Sequence, residues 1–249
     1  MAKEKRMPSA LKVALEDLLK AQRLSADGPP LRGEDRRGTP LATGIPGVDA
    51  LIYGGLPRGQ ISEIHGPASS GRTGIALAVA ARATRAGALA AWIDPQDRLD
   101  PRSASDAGMD LGRLLWLRGF DGTTPRSGDG GPRPLLAALS AVGIVLGSGL
   151  FEIVVVDLGG IGRPTLQRLP GATWIRLQRM IEPQPGALLV VADAHVAHGP
   201  AGVSLALRGR RASWSGAPGP GRLLRGLTAE VRAGRQALRG ADVMLRAGA

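Results

Sequence analysis

Apolar and polar positions alternate in blocks along most of the chain after residue 41. Apolar runs with the length of buried strands lie at 60–66, 88–94, 114–119, 151–157 and 186–193. Segments at 74–87 and 135–147 have helical character. Apolar strands that alternate with helices predict an α/β fold with a mainly parallel sheet and helices on both faces. Three strand-like pieces after residue 202, separated by Gly and Pro, predict antiparallel C-terminal additions.

The N-terminal segment has a different pattern. Residues 9–22 place Leu11, Leu15 and Leu18 on one stripe of a predicted amphipathic helix, and a polar stretch rich in Gly and Pro follows. We therefore divide the chain into an N-terminal helix and linker, 1–37, and an α/β core, 38–249. The leucine stripe either packs on the chain's own core or binds a partner protein.

Composition narrows the functional classes. Cysteine is absent, which excludes disulfides and thiolate chemistry, and no apolar run approaches the ~18 residues of a membrane span. We therefore expect a cytoplasmic protein. The net charge is +11. From residue 206 onward the sequence has nine arginines and only two acidic residues, Glu230 and Asp242. Such a cluster indicates either a phosphate-rich or acidic partner, or a solvated face with biased codon usage.

The stretch "HGPASSGRTG", 65–74, has the spacing of a phosphate-binding loop between a strand and a helix. Its glycines would let backbone amides face phosphates, and its Thr73 hydroxyl would bind Mg²⁺. Asp157, at the end of the apolar strand "FEIVVVD", has the position that holds this Mg²⁺ through water. The predicted nucleotide-binding residues are Gly66, Pro67, Ser69, Ser70, Gly71, Arg72, Thr73 and Asp157.

Three segments carry a family resemblance. "LATGIPGVDALIYGGLPRGQISEIHGPASSGRTG", "WIDPQDRLDP" and "IVVVD" together resemble the bacterial RecA recombinases, over about residues 8 to 248 and without the RecA C-terminal domain. The resemblance implies a RecA-like P-loop ATPase core. Within that group, a chain this short with an altered site is similar to the ImuA proteins. That similarity implies an accessory role in SOS-induced DNA repair and mutagenic translesion synthesis. The implied partners are RecA, an ImuB-type polymerase homologue and a DnaE2-type polymerase.

Four positions depart from the RecA pattern. The loop lysine corresponds to Arg72, the catalytic glutamate to Gln96, the adenine-stacking tyrosine to Ser103 and the sensor glutamine to Ala194. A planar guanidinium does not replace a compact ammonium, and an amide cannot accept a proton from water. We therefore expect no catalytic residue, weak binding of Mg-ATP at most, and absent or very weak hydrolysis.

An alternative is an active DNA-dependent ATPase, a minimal recombinase in which Asp94 or Asp97 replaces the missing base. A third interpretation is a simple arginine-rich DNA-binding protein.

The resemblance also locates candidate contacts with single-stranded DNA. The first DNA-binding loop would span 158–174 and carry Arg163 and Arg168. In the C-terminal cluster, Arg208, Arg210 and Arg211 are the residues expected to meet phosphates.

Histidines and tryptophans carry weaker signals. His195 and His198 in "DAHVAHG" lack the spacing of paired ligands on a helix face, so no metal site is expected. We interpret His65 as an ordinary strand-end residue, and Trp116, Trp174 and Trp214 as packing residues, with contact to a partner as the alternative for Trp174.

Overall fold

The computed structural model of the chain describes residues 38–120, 133–197, 202–234 and 239–246. The predicted N-terminal helix with Leu11, Leu15 and Leu18, and also His198, lie outside the described residues.

Eight strands form one sheet in the described part of the chain. They are β1 (Ile61–His65), β2 (Leu89–Ile93), β3 (Leu114–Leu117), β4 (Phe151–Asp157), β5 (Ala187–Ala192), β6 (Ser204–Ser215), β7 (Leu223–Ala233) and β8 (Arg239–Arg246).

Within the described residues, six α-helices connect or flank these strands. They are α1 (Pro46–Leu51), α2 (Arg72–Arg85), α3 (Pro101–Asp106), α4 (Arg133–Ser148), α5 (Arg163–Gln167) and α6 (Ala172–Ile181).

The strand order is β3-β2-β4-β5-β1-β6-β7-β8. The strands from β3 through β6 pair in parallel, while β7 and β8 are antiparallel to their neighbours. The predicted α/β class with antiparallel C-terminal additions is confirmed. One detail differs, because β6 joins β1 in parallel and only then turns back into β7. The consequence is that β4, β5 and β1, with their carboxyl ends together, lie in the middle of the sheet.

Both faces of the parallel part are covered. Side chains alternate between the faces of a strand, and both sets are buried, with Ile64 and Trp92 on one face and Ile93 and Val156 among those on the other. Ile64 and Trp92 belong to the same apolar cluster as the helix α2 residues. Helices α4 and α6 contact each other, and they contact β4 and β1 respectively.

The segment expected to form a DNA-binding loop, 158–174, is largely ordered. It contains α5 and the first turn of α6, and Leu166 and Trp174 in these helices are buried. The packing interpretation of Trp174 is therefore confirmed. Among the described residues, every helix is too short or too polar to cross a bilayer.

Candidate functional site

The candidate site lies where three neighbouring parallel strands end. Asp157 is the last residue of β4, Asp193 follows β5 directly, and the loop 66–71 follows β1. The carboxyl ends of adjacent parallel strands form a crevice, which is the usual ligand position in open α/β sheets. The sheet thus brings the glycine-rich loop and the predicted acidic residue to one place.

The two loop glycines are required by packing. A side chain on Gly66 would collide with the backbone oxygen of Leu207 in β6. Gly71 has a φ of 93°, which favours glycine, and a Cβ there would collide with the Leu245 side chain of β8. The loop therefore packs against two C-terminal strands, β6 and β8. Gly71 is also the N-cap of α2 and has no side chain to cap the first-turn amides, and no side chain of the described residues is recorded as capping them, so they can face an anion.

Arg72 is the first residue of α2 and is only 6% exposed. Its Nη1 donates to the backbone oxygen of Gly66, and its Nη2 forms an ion pair with Asp193. Its Nε finds no hydrogen-bond partner within the described residues. The guanidinium is thus held by the loop itself and by the segment after β5.

Asp157 is buried beside this arginine. Its Oδ1 accepts a hydrogen bond of 2.9 Å from the backbone N–H of Gly159. Burial raises the pKa of the Asp157 carboxyl above its usual range, and the nearby Asp94 adds to the effect. The Gly159 hydrogen bond, Arg72 and Arg98 oppose that shift. An acidic group at this position would gain from a bound cation.

The predicted base position is a turn after β2, where Gln96 is exposed. Of the flanking acids, Asp94 is fully buried, and its Oδ2 accepts hydrogen bonds from the backbone of Arg98 and Leu99, both 2.8 Å, and from Trp116 Nε1, 3.2 Å. The exposed Asp97 pairs with Arg118 at 2.6 Å. Each acid flanking Gln96 therefore has a partner in the chain, through Oδ2 for Asp94, whose Oδ1 finds none within the described residues.

Ser103 and Ala194 stand at the other two positions that depart from the RecA pattern. Ser103 belongs to the first turn of α3, where its backbone N–H and its hydroxyl both donate to the N-cap residue Asp100, at 3.0 and 2.6 Å. These bonds, the hydroxyl bond first, lower the pKa of Asp100. Ala194 is half-buried in the bend after β5.

The candidate DNA-contacting arginines are all exposed but differ in their partners. Arg163 begins α5, and Arg168 follows its last residue. On β6, Arg208 and Arg211 form no ion pair with any residue that the structure describes. In contrast, Arg210 forms an ion pair with Glu230 of β7.

The outer end of the β6–β7 hairpin also presents an apolar surface. Trp214 is 48% exposed, with the Arg222 guanidinium 5.6 Å from its ring centre, and Leu223 and Leu224 beside it are exposed too. The packing interpretation of Trp214 is therefore wrong. Nothing in the alternation of "RASWSG" distinguishes an exposed tryptophan from a buried one.

Sequence reasoning also missed a cluster beside the loop. Buried Glu63 and half-exposed His65, both of β1, meet His195 from the segment after β5. Burial lowers the pKa of His65; Glu63 opposes this shift and His195 adds to it. Only strand pairing reveals the cluster, because β1 and β5 are far apart in sequence.

Similarity to known proteins covers the first part of this site. The RecA N-terminal domain model matches residues 34–160, about half of the chain. The chain belongs to the RecA family. Among similar curated proteins, the RecA proteins of Paenarthrobacter aurescens (strain TC1), Mycobacterium ulcerans (strain Agy99) and Chlorobium chlorochromatii (strain CaD3) are 42%, 41% and 40% identical over 118 residues.

These matches cover 47% of this chain and 30% of each of the three RecA relatives. The matched family region contains the loop, Gln96 and Asp157. Asp193, His195 and the arginines of β6 lie beyond it. The matched region therefore includes the glycine-rich loop and β4, while Asp193 and His195, which contact Arg72 and Glu63, lie outside it.

Proposed function

We propose that this RecA-family chain is an accessory protein of the ImuA type, which acts in SOS-induced DNA repair and mutagenic translesion synthesis without hydrolysing ATP. Its partners in this proposal are RecA, an ImuB-type polymerase homologue and a DnaE2-type polymerase. The role and partners come from the resemblance of the sequence.

The position of Arg72 carries the proposal. A catalytic phosphate loop needs a cation that is free to follow the transferred phosphoryl group. Here the guanidinium donates to Gly66 and pairs with Asp193, so it already has two partners inside the protein. A nucleotide would have to break these contacts before it gained this charge. Backbone amides at the start of α2 still offer a weak phosphate cradle, and weak Mg-ATP binding is therefore part of the proposal.

The base position supports the same conclusion. Gln96 cannot accept a proton from water, and a lost general base costs roughly 10²–10⁴ in rate. The alternative of an active ATPase needs Asp94 or Asp97 in this role. Burial and three hydrogen bonds hold Asp94, and the ion pair with Arg118 occupies Asp97. We therefore favour the non-catalytic function.

Phosphate release from Mg-ATP, measured with and without single-stranded DNA, tests this proposal. We expect both rates to equal that of the Asp157→Ala variant, which lacks the acidic strand end. DNA-stimulated hydrolysis that disappears in Asp157→Ala would support the minimal recombinase instead. Calorimetric titration with a non-hydrolysable ATP analogue, run in parallel, separates loss of turnover from loss of binding.

The association with RecA is tested separately. We propose that residues 1–33 carry it, through the stripe of Leu11, Leu15 and Leu18. RecA should be recovered by the full chain, but not by a version that starts at Gly38 or by a Leu15→Asp variant. Equal recovery by all three would move the contact to the core. The same three proteins can then be tested against the ImuB-type and DnaE2-type polymerases.

A second candidate function, contact with single-stranded DNA, is favoured by one specific observation. Arg208 and Arg211 are exposed and form no ion pair with described residues, and the same hairpin exposes Trp214. Exposed arginines on the same hairpin as an exposed aromatic ring suit a phosphate backbone with stacked bases. Binding of a labelled oligonucleotide at several salt concentrations measures this function directly.

A further inference from the structure

The ends of β1 and β5 bring two imidazoles and one buried carboxylate together. One ligand atom from each of Glu63, His65 and His195 lies within 4.8 Å of the other two. Glu63 and His65 are two residues apart on β1, so their side chains share one face of the sheet. His195 comes from the segment that follows β5, the parallel neighbour of β1.

Glu63 is fixed in orientation within this cluster. Its side chain is 3% exposed, and its Oε2 meets Nδ1 of His195. Its Oε1 accepts hydrogen bonds from the backbone N–H groups of Val196, 2.7 Å, and Ala197, 3.2 Å. A buried carboxylate is costly unless its charge is compensated. A cation at Oε2 would therefore compensate the charge of the buried Glu63 carboxylate and stabilise the cluster.

The two rings are placed for a common ligand. The centroids of His65 and His195 are 5.6 Å apart, and the ring planes are inclined by 50°. The His195 side chain is 36% exposed, so an ion from solvent can reach the cluster.

We propose that Glu63, His65 and His195 bind one divalent transition-metal ion, with Zn²⁺ preferred. Two imidazole nitrogens and one carboxylate oxygen form a known donor set of open zinc sites, with a water molecule in the fourth position. Bonds of about 2.0–2.2 Å place tetrahedral ligands roughly 3.4 Å apart, so the present cluster needs only small side-chain rotations. The ion takes the place of the Nδ1 proton between His195 and Glu63: in a neutral imidazole this proton moves to Nε2, and in an imidazolium it passes to solvent.

The ion would anchor the segment after β5 to β1. Asp193, two residues before His195, pairs with Arg72 of the glycine-rich loop. A metal at the cluster therefore fixes the same segment that holds the loop arginine. This site does not depend on whether the chain binds nucleotide or RecA.

A plain ion pair between Glu63 and His195 makes a different prediction, because it does not need His65. The composition leaves few other ligands that could obscure the difference between a metal site and an ion pair. The chain has three histidines and no cysteine. Nitrogen ligands are thus limited to His65, His195 and His198.

Equilibrium dialysis of the full chain without an affinity tag, against buffered Zn²⁺, tests the site. We expect one zinc per chain, and a loss of affinity on the order of 100-fold or more in His65→Ala and in His195→Ala. Glu182→Gln, which changes a carboxylate at the end of α6, is the control and should keep wild-type affinity. Circular dichroism verifies that each variant is folded. Unchanged binding in His65→Ala, or no zinc bound by the wild-type chain, overturns the proposal.

Hydrogen exchange provides a second measurement. It compares the wild-type chain with and without zinc, so it does not depend on the stability of a variant. Zinc should slow exchange of the Val196 and Ala197 amides in the wild-type chain, because their acceptor Glu63 becomes a metal ligand. The same amides should not respond to zinc in His65→Ala. Identical exchange with and without zinc in the wild-type chain would contradict the site.

Discussion

Arg72 and Asp193 form an ion pair that joins the glycine-rich loop to the segment after β5. The same guanidinium donates to the backbone oxygen of Gly66 at the start of that loop. A lysine has a single ammonium group at the end of its side chain and cannot present two separate donors in this fork geometry. The combination of both contacts is therefore specific to arginine, and it makes the departure from the RecA pattern at this position testable.

Replacing Arg72 with lysine should strengthen nucleotide binding. The smaller ammonium leaves Gly66 and Asp193 and becomes available to phosphate oxygens. One charge-assisted hydrogen bond contributes about 1.5–3 kcal/mol, so we expect affinity for an ATP analogue to rise about tenfold or more. Isothermal titration calorimetry measures it. Arg85→Lys, the same change at an exposed position of α2, should have no effect. Equal affinity of Arg72→Lys and wild type would show that the arginine is not the limiting feature.

Asp94 and Asp97 offer a matched pair for stability. Asp94→Ala leaves the N–H groups of Arg98, Leu99 and Trp116 without their acceptor, and we expect it to lower the free energy of unfolding by about 2–4 kcal/mol. Asp97→Asn breaks only an exposed ion pair, because Asn tolerates the φ of 52° at this position, and should cost less than ~1 kcal/mol. Urea denaturation of both variants gives the comparison. Equal losses would mean that the buried network is not what holds this turn.

The Glu230 network should give stability that depends on pH. The hydrogen bond from Arg232 lowers the pKa of Glu230, and Arg210 acts in the same direction. A carboxyl with a lowered folded pKa stabilises the protein above its unfolded pKa, and this contribution is lost as pH falls through the folded pKa. Glu230→Gln should therefore lower the melting temperature slightly at neutral pH.

The difference between Glu230→Gln and wild type should vanish in acid, below both pKa values. Glu182→Gln, which removes the same charge at the end of α6, serves as the control. A difference that persists at low pH would assign the effect to packing of the side chain instead.

The arginines of β6 should contribute unequally to DNA binding. Arg208→Gln with Arg211→Gln removes two charges that form no ion pair with described residues. We expect the salt slope of single-stranded DNA binding to flatten by about one to two units. Arg210→Gln should change it less, because Glu230 already compensates that charge. Fluorescence anisotropy across a salt series measures the slopes, and the same flattening in both proteins would refute the distinction.

Local sequence predicted the features that depend on neighbouring residues. The apolar run ending at Asp157 became β4 with the predicted bounds, and the glycine spacing of 66–71 became a loop between a strand and a helix. The interpretation of 158–174 as a loop was less accurate, because it followed from the resemblance. Burial of Leu166 and Trp174 stabilises the helices that form there.

Contacts across the sheet could not be predicted. Arg72 meets Asp193, and His65 meets His195, only because β5 lies beside β1. Apolar strands such as "ALLVVA" are nearly interchangeable in pattern, so the sequence does not specify which of them are neighbours. Without the strand order, the sequence does not indicate that His65 and His195 lie close together.

The packing of the C-terminal strands on the loop has a consequence for synthesis of the protein. Gly66 lies against Leu207, and Gly71 lies against Leu245, so the loop is supported by residues made near the end of translation. Domains form from the N-terminus as the chain leaves the ribosome. The "GPASSGR" segment gains its contact with Leu245 only after residue 245 has emerged from the exit tunnel. A nascent chain stalled before β8 would therefore carry an unfinished loop, whatever its other strands had formed.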